Sequence, residues 1–217
     1  MFSTSRLLRR SLYTSVSSYN TIVVDPIVSH ISNKVTVTGT GFESNAPVTV
    51  QCTLKYPEER FDFKSYAHIY TDKDGCFDLK TNESYGGTYA GVEDMGLFWS
   101  MEKQGESPAR AILMNGLRNF SYRFDVYNQH LSQMHQESSL FHAHIERYAA
   151  RNVTRHEITD KPFKGTLFVP DGLSLKSPAI ITLFGGVKRG RVFEHFAAFL
   201  AHHGFVTFSL AFFGVDG

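Results

Sequence analysis

Over most of the first two thirds of the chain, apolar and polar residues alternate with a period of two. That spacing places successive side chains on opposite faces of a half-buried strand. Lys34-Val35-Thr36-Val37-Thr38-Gly39 alternates and stops at a glycine; Pro47-Val48-Thr49-Val50-Gln51-Cys52-Thr53-Leu54 repeats the pattern. Residues 66–70 and 76–79 do the same, separated by Asp72-Lys73-Asp74-Gly75. Because Gly readily takes positive φ, Asp74-Gly75 predicts a hairpin turn between those two strands. Residues 120–127 and 141–148 add two more alternating runs. Six or seven short strands divided by turn residues predict an antiparallel two-sheet β-sandwich of immunoglobulin-like size.

The pattern changes near Arg151. Gly165-Thr166-Leu167-Phe168-Val169-Pro170 reads as a strand, and Ala179-Ile180-Ile181-Thr182-Leu183-Phe184 is a continuous apolar run. Such a run suits a strand covered on both faces, as in a parallel sheet. Residues 192–201 carry a helical pattern closed by Gly204, a natural helix terminator. Residues 205–211 then read as a second buried strand. Strand, helix and strand make a βαβ unit. Its apolar faces and sheet edges call for further elements to cover them. The expected organisation is a leader over residues 1–19, a sandwich over 20–150 and the incomplete beginning of an α/β domain over 151–217.

Composition narrows the function classes. The 217 residues carry a formal net charge of +1, which argues against a field-driven nucleic-acid or membrane-surface role. Nothing approaches the roughly 18 unbroken apolar residues of a membrane-spanning helix. Cys52 and Cys76, the two cysteines, are too few for a disulfide framework and suit a reducing compartment. The first eighteen residues hold Arg6, Arg9 and Arg10 among many Ser and Thr, with no acidic residue before Asp25. Phe2, Leu8 and Leu12 fall toward one side of a helix there. This is the pattern of a mitochondrial presequence, whereas Arg9 and Arg10 interrupt the apolar core that a secretory signal needs.

Two passages resemble a known family. Gly86-Gly87-Thr88-Tyr89-Ala90-Gly91-Val92-Glu93-Asp94-Met95-Gly96-Leu97-Phe98-Trp99-Ser100-Met101 is similar to the signature of the N-terminal domain of acyl-CoA thioesterases and bile-acid-CoA:amino-acid N-acyltransferase. Residues 153–213 resemble the junction and first βαβ of that family's α/β-hydrolase domain, most clearly in Leu183-Phe184-Gly185-Gly186 and Gly204-Phe205-Val206-Thr207-Phe208. Within the first passage, Met95, Leu97 and Trp99 would point one way on a strand, with the lone Trp in the core. Gly86, Gly87 and Gly91 would mark tight turns.

The resemblance implies cleavage of acyl-CoA thioesters, or transfer of the acyl group to an amino acid, by a nucleophile–Asp–His triad. The thioester is itself the substrate, so no cofactor is implied. In α/β-hydrolases the nucleophile is centred in G-x-S-x-G, with the acid and then the base later in the chain. Nowhere do two glycines at that spacing bracket a Ser or Cys here, so the triad is expected beyond Gly217. The chain alone is expected to be inactive. One catalytic element is expected within it: the loop after residues 179–184, with Gly185, Gly186 and Val187 as candidates for an oxyanion-hole N–H. Lys188 or Arg189 would be in position to meet a CoA phosphate.

The remaining candidates are weaker. His142, His144 and Glu146 would share one strand face, a metal-like arrangement without an evident fourth ligand. Glu194-His195 looks like an acid–base pair, yet adjacent helix residues do not face each other. Asn82, Asn119 and Asn152 begin N-x-[ST] sequons that matter only in a secreted chain. The expected location is the mitochondrial matrix, with cytoplasm or peroxisome as alternatives, a peroxisomal address being read at the true C-terminus. A non-catalytic binding or regulatory piece is the alternative from a different class.

Overall fold

The computed structural model describes residues 20–55, 62–105, 117–132, 139, 141–159, 162–173, 177–183 and 194–211. The expected leader and the loop holding Gly185, Gly186 and Val187 lie outside these residues. What is described is mostly β-sheet with two helices.

Nine strands build the first part in two sheets. Strands β1 (Thr21–Asp25), β3 (Thr36–Thr40) and β6 (Phe77–Asp78) form a three-stranded antiparallel sheet in the order β1-β3-β6. The larger sheet takes β2 (Val28–His30), β4 (Pro47–Lys55), β5 (Asp62–Tyr70), β7 (Glu102–Lys103), β8 (Asn119–Tyr127) and β9 (Phe141–Tyr148). Its order is β2-β9-β8-β4-β5-β7, and only the β2–β9 pair is parallel.

The alternation explains the core. Val24, Val37 and Phe77 from the smaller sheet meet Val48, Val50, Cys52, Ala67, Ile69, Phe124, Val126 and Ile145 from the larger one. Each fully buried side chain of this size contributes about 1.5–3 kcal/mol of transfer free energy. Burial pushes the Cys52 thiol well above its ordinary value, so it packs as a small apolar group.

Two local expectations are corrected here. The Asp72–Gly75 turn forms, with the Asp72 carboxylate accepting from the N–H groups of Asp74 (2.9 Å) and Cys76 (2.8 Å). It is not a hairpin: it carries the chain from β5 in the larger sheet to β6 in the smaller one. Gly75 has φ +71°, and a Cβ there would lie 2.1 Å from the Phe42 carbonyl oxygen, so the crossover requires glycine.

The second correction concerns the signature passage. Gly96–Trp99 is a short helix, α1, not a strand. Consecutive Leu97 and Phe98 both pack on the core, which a period-two strand forbids and a helical turn allows. Trp99 consequently faces out at 62% exposure, 6.0 Å from the Tyr89 ring, rather than joining the core. The Ser65 hydroxyl donates to the Leu97 carbonyl and ties α1 to β5.

The second part is a four-stranded sheet in the order β10-β11-β13-β12, made of β10 (Val153–Ile158), β11 (Gly165–Pro170), β12 (Ala179–Leu183) and β13 (Val206–Leu210). The β12–β13 pair is parallel and the other two pairs are antiparallel. Helix α2 (Glu194–His202) lies between β12 and β13 in the chain and completes the expected βαβ unit. Ala197, Ala198 and Ala201 of α2 seal one sheet face against Phe168 and Ala150. The other face departs from the both-faces-covered expectation. Strand β12 is at the edge of the described sheet, with Ile181 65% and Leu183 64% exposed.

Candidate functional site

Where parallel strands lead into helices, ligands gather at the carboxyl ends of the strands. Strands β12 and β13 run in register from Ala179↔Val206 to Leu183↔Leu210, so Leu183 and Leu210 mark that end. After Leu183 the sequence continues through Phe184 into Gly185, Gly186 and Val187. The described geometry fixes both flanks of their loop, the end of β12 and the start of α2.

The start of α2 is held by a buried ion pair. Glu194 is 1% exposed. Its carboxylate accepts from Arg155 Nε and Nη2, both at 2.9 Å, and from Thr166 Oγ1 at 2.7 Å. Arg155 comes from β10 and Thr166 from β11. The Glu194 carboxylate also holds the Arg155 guanidinium more firmly protonated than usual. A carboxylate in the first helical turn is further favoured by the helix dipole. Three donors occupy Glu194, so it anchors α2 to the sheet and does not form an acid–base pair with His195. The sequence offered no signal for Arg155 as its partner, 39 residues away.

The histidine pair on β9 is exposed, with ring centroids of His142 and His144 5.5 Å apart and edge-on. Glu146 lies further along the same face. The carboxylate opposite His142 is Asp125 on β8. It is buried and taken up by Arg123 Nε and Nη2, both at 2.9 Å, and by the Ser139 hydroxyl at 3.0 Å. Among the described residues no group of three His, Cys, Asp or Glu is arranged to hold a metal ion. Partial desolvation, helped by the charges of Arg123 and His142, keeps His144 below the ordinary histidine value.

The signature passage is a docking element on β5. Its residues bridge to that strand at Ala67↔Gly87, and the amides of His68 and Thr88 donate to the carbonyls of Gly86 (2.9 Å) and Tyr66 (2.9 Å). Burial raises the Tyr89 hydroxyl to about 12, leaving it neutral at any physiological pH. Gly86, Gly87 and Gly91 all have positive φ, as turn positions do. Both cysteines are free thiols.

Comparison with known proteins matches residues 32–160 to the family model described as the acyl-CoA thioester hydrolase/BAAT N-terminal region. The human bile acid-CoA:amino acid N-acyltransferase is 34% identical over 88% of this chain and 46% of its own length. The mouse acyl-coenzyme A thioesterase 6 is 30% identical over 80% of this chain and 40% of its own length. The rat mitochondrial acyl-coenzyme A thioesterase 2 is 30% identical over 83% of this chain and 38% of its own length. The chain thus spans less than half the length of these relatives.

Proposed function

The chain belongs to the acyl-CoA thioester hydrolase/BAAT family, and from that premise we propose that the full-length protein is an acyl-CoA thioesterase releasing free fatty acid and CoA. Residues 20–150 are its immunoglobulin-like β-sandwich domain, and residues 151–217 are the beginning of its α/β-hydrolase domain. The observation that carries this reading is the family match over residues 32–160, followed in sequence by a βαβ unit. Relatives named as thioesterases support the reaction class.

In this reading the nucleophile, acid and base lie in the C-terminal remainder. The nucleophilic hydroxyl adds to the thioester carbonyl, its proton passing to the base, and CoA leaves as the protonated thiol. Water then hydrolyses the acyl-enzyme to the acid. The loop of Gly185, Gly186 and Val187 supplies one N–H to the tetrahedral oxyanion. A single such donor is worth about a 10²–10³-fold rate effect. The anchored Glu194 fixes the start of α2 against β10 and β11. The 217 residues alone do not turn over substrate, and the reaction needs no cofactor, the thioester being the substrate. The Arg-rich, acid-poor start and the mitochondrial rat relative support a location in the mitochondrial matrix.

One observation favours a second reading. Identity to the human N-acyltransferase, 34%, exceeds the 30% to the mouse thioesterase 6. The nucleophile decides between them, since the resemblance implies Ser for hydrolysis and Cys for transfer to an amino acid. The experiment is to read the coding sequence past Gly217 and assay the resulting protein on palmitoyl-CoA with and without glycine. A Ser elbow with release of free acid supports hydrolysis. A Cys elbow with formation of an N-acyl amino acid establishes transfer instead, and a protein with neither elbow overturns both.

A further inference from the structure

A cluster of rings joins the two-sheet part to α2. His30, at the end of β2, is 4% exposed. Its ring stacks on His202 of α2 at 4.5 Å and 18°, and packs against His203 at 5.3 Å and Phe199 at 5.2 Å. Tyr148 of β9 closes the cluster at 5.6 Å, and the Arg151 guanidinium lies 4.1 Å over the Tyr148 ring. His202 Nδ1 sits 3.1 Å from the Arg151 carbonyl oxygen.

The hydrogen bonds of His30 specify one protonation state. Nε2 donates to the Ala149 carbonyl at 3.0 Å. Nδ1 faces the Ser32 hydroxyl at 2.6 Å and accepts from the Ser32 backbone N–H at 3.2 Å. A hydroxyl can rotate to accept, but an amide N–H only donates, so Nδ1 must stay unprotonated. The turn is held in that pose by Arg147. Its Nη2 donates to the carbonyls of His30 (3.3 Å), Ile31 (2.7 Å) and Asn33 (2.6 Å). A second proton on His30 can therefore go only onto the atom that faces an N–H.

The groups around the ring oppose that proton as well. Arg147 and Tyr148 flank it from β9, His202 from the last residue of α2 and His203 from just beyond it, while the Arg151 guanidinium sits over Tyr148. The neighbours whose charge acts on His30, namely His202, His203 and Arg147, are all cationic when charged.

We propose that this seam is an acid-sensitive latch: neutral His30 holds β2 against α2, and protonation at its Nδ1 releases α2 from the two-sheet part. Burial, the largest influence, lowers the pKa of His30 from the ordinary 6.5 and outweighs the hydrogen bond to the Ala149 carbonyl, which raises it; His202, His203 and Arg147 lower it further. The sign follows by linkage. The opened or unfolded ring takes up a proton at 6.5, while the latched ring resists it. The stabilisation is complete above 6.5 and drains away as pH falls from there through the lowered folded value. The latch does not depend on the enzymatic reading, because its groups are all described residues outside the triad and the oxyanion loop.

The test follows amide hydrogen exchange in the 217-residue chain at about pH 7.5 and about pH 5.0, corrected for intrinsic exchange rates. Peptides covering β2 and α2 are expected to lose protection about tenfold or more at the lower pH, while β4 and β8 keep theirs. In His30→Gln, a neutral side chain that still donates and accepts, the two pH values should give equal protection. Unchanged protection of the seam in the unaltered chain, or an undiminished acid loss in His30→Gln, overturns the proposal. Should His30→Gln be open at both pH values, ring-nitrogen NMR of the unaltered chain decides. A His30 protonation midpoint coinciding with the loss of α2 protection supports the latch, and separate midpoints overturn it.

Discussion

The two-sheet part and the four-stranded sheet use the same raw material, alternating apolar strands, and end in opposite states. In the first, apolar faces from two sheets meet around Phe124, Val50 and Val37, all buried. In the second, α2 covers one face, while Ile181 and Leu183 stand about two-thirds exposed on the other. Patterning dictates which face wants burial; only a partner layer delivers it. The first part closes within the described chain. The second holds its helix by a buried ion pair, an alanine-lined contact and the ring cluster at His30.

Three substitutions probe that contrast. Phe124→Ala in the closed core should cost about 3–5 kcal/mol, read as a lower denaturant midpoint at unchanged slope. A loss under about 1 kcal/mol would mean that this core is not the main source of stability. Arg155→Met leaves the Glu194 carboxylate buried without its partner and should cost about 3 kcal/mol. Its damage should appear as exchange in α2 and β11, with β4 and β8 protected, which separates it from the first variant. Ile181→Thr keeps a β-branched side chain on the open face and should change stability by under about 0.5 kcal/mol. A cost rivalling Phe124→Ala would show that this face is covered after all.

The sequence announced strands wherever alternation was long and one-sided. Residues 47–54, 120–127 and 141–148 match β4, β8 and β9 almost end to end. The helix of the βαβ unit and its parallel strands were equally legible. Short, non-alternating or polar strands were not: β2 and β7 are too brief for a period, β1 spells Thr-Ile-Val-Val-Asp and β10 spells Val-Thr-Arg-His-Glu-Ile. Trp99 was misplaced because composition favours burying a Trp, whereas one helical turn at α1 had already committed Leu97 and Phe98 inward. Asp74-Gly75 named a turn correctly, but a turn motif does not say whether its two strands share a sheet.

The site was legible in outline only. The absence of a G-x-S-x-G elbow is read directly from the sequence, while the glycine loop lies outside the described residues. Glu194 with Arg155, and His30 with His202, are pairings between residues 39 and 172 positions apart, which only the fold brings together. Periodicity carries no information about such partners.

The most direct measurement is thiol release from palmitoyl-CoA by the purified 217-residue chain. The expected rate is no faster than buffer, because no Ser or Cys of these residues is centred in a G-x-S-x-G elbow. Release above background that scales with protein concentration would contradict it, and would place a nucleophile inside a chain that has no G-x-S-x-G elbow to hold one.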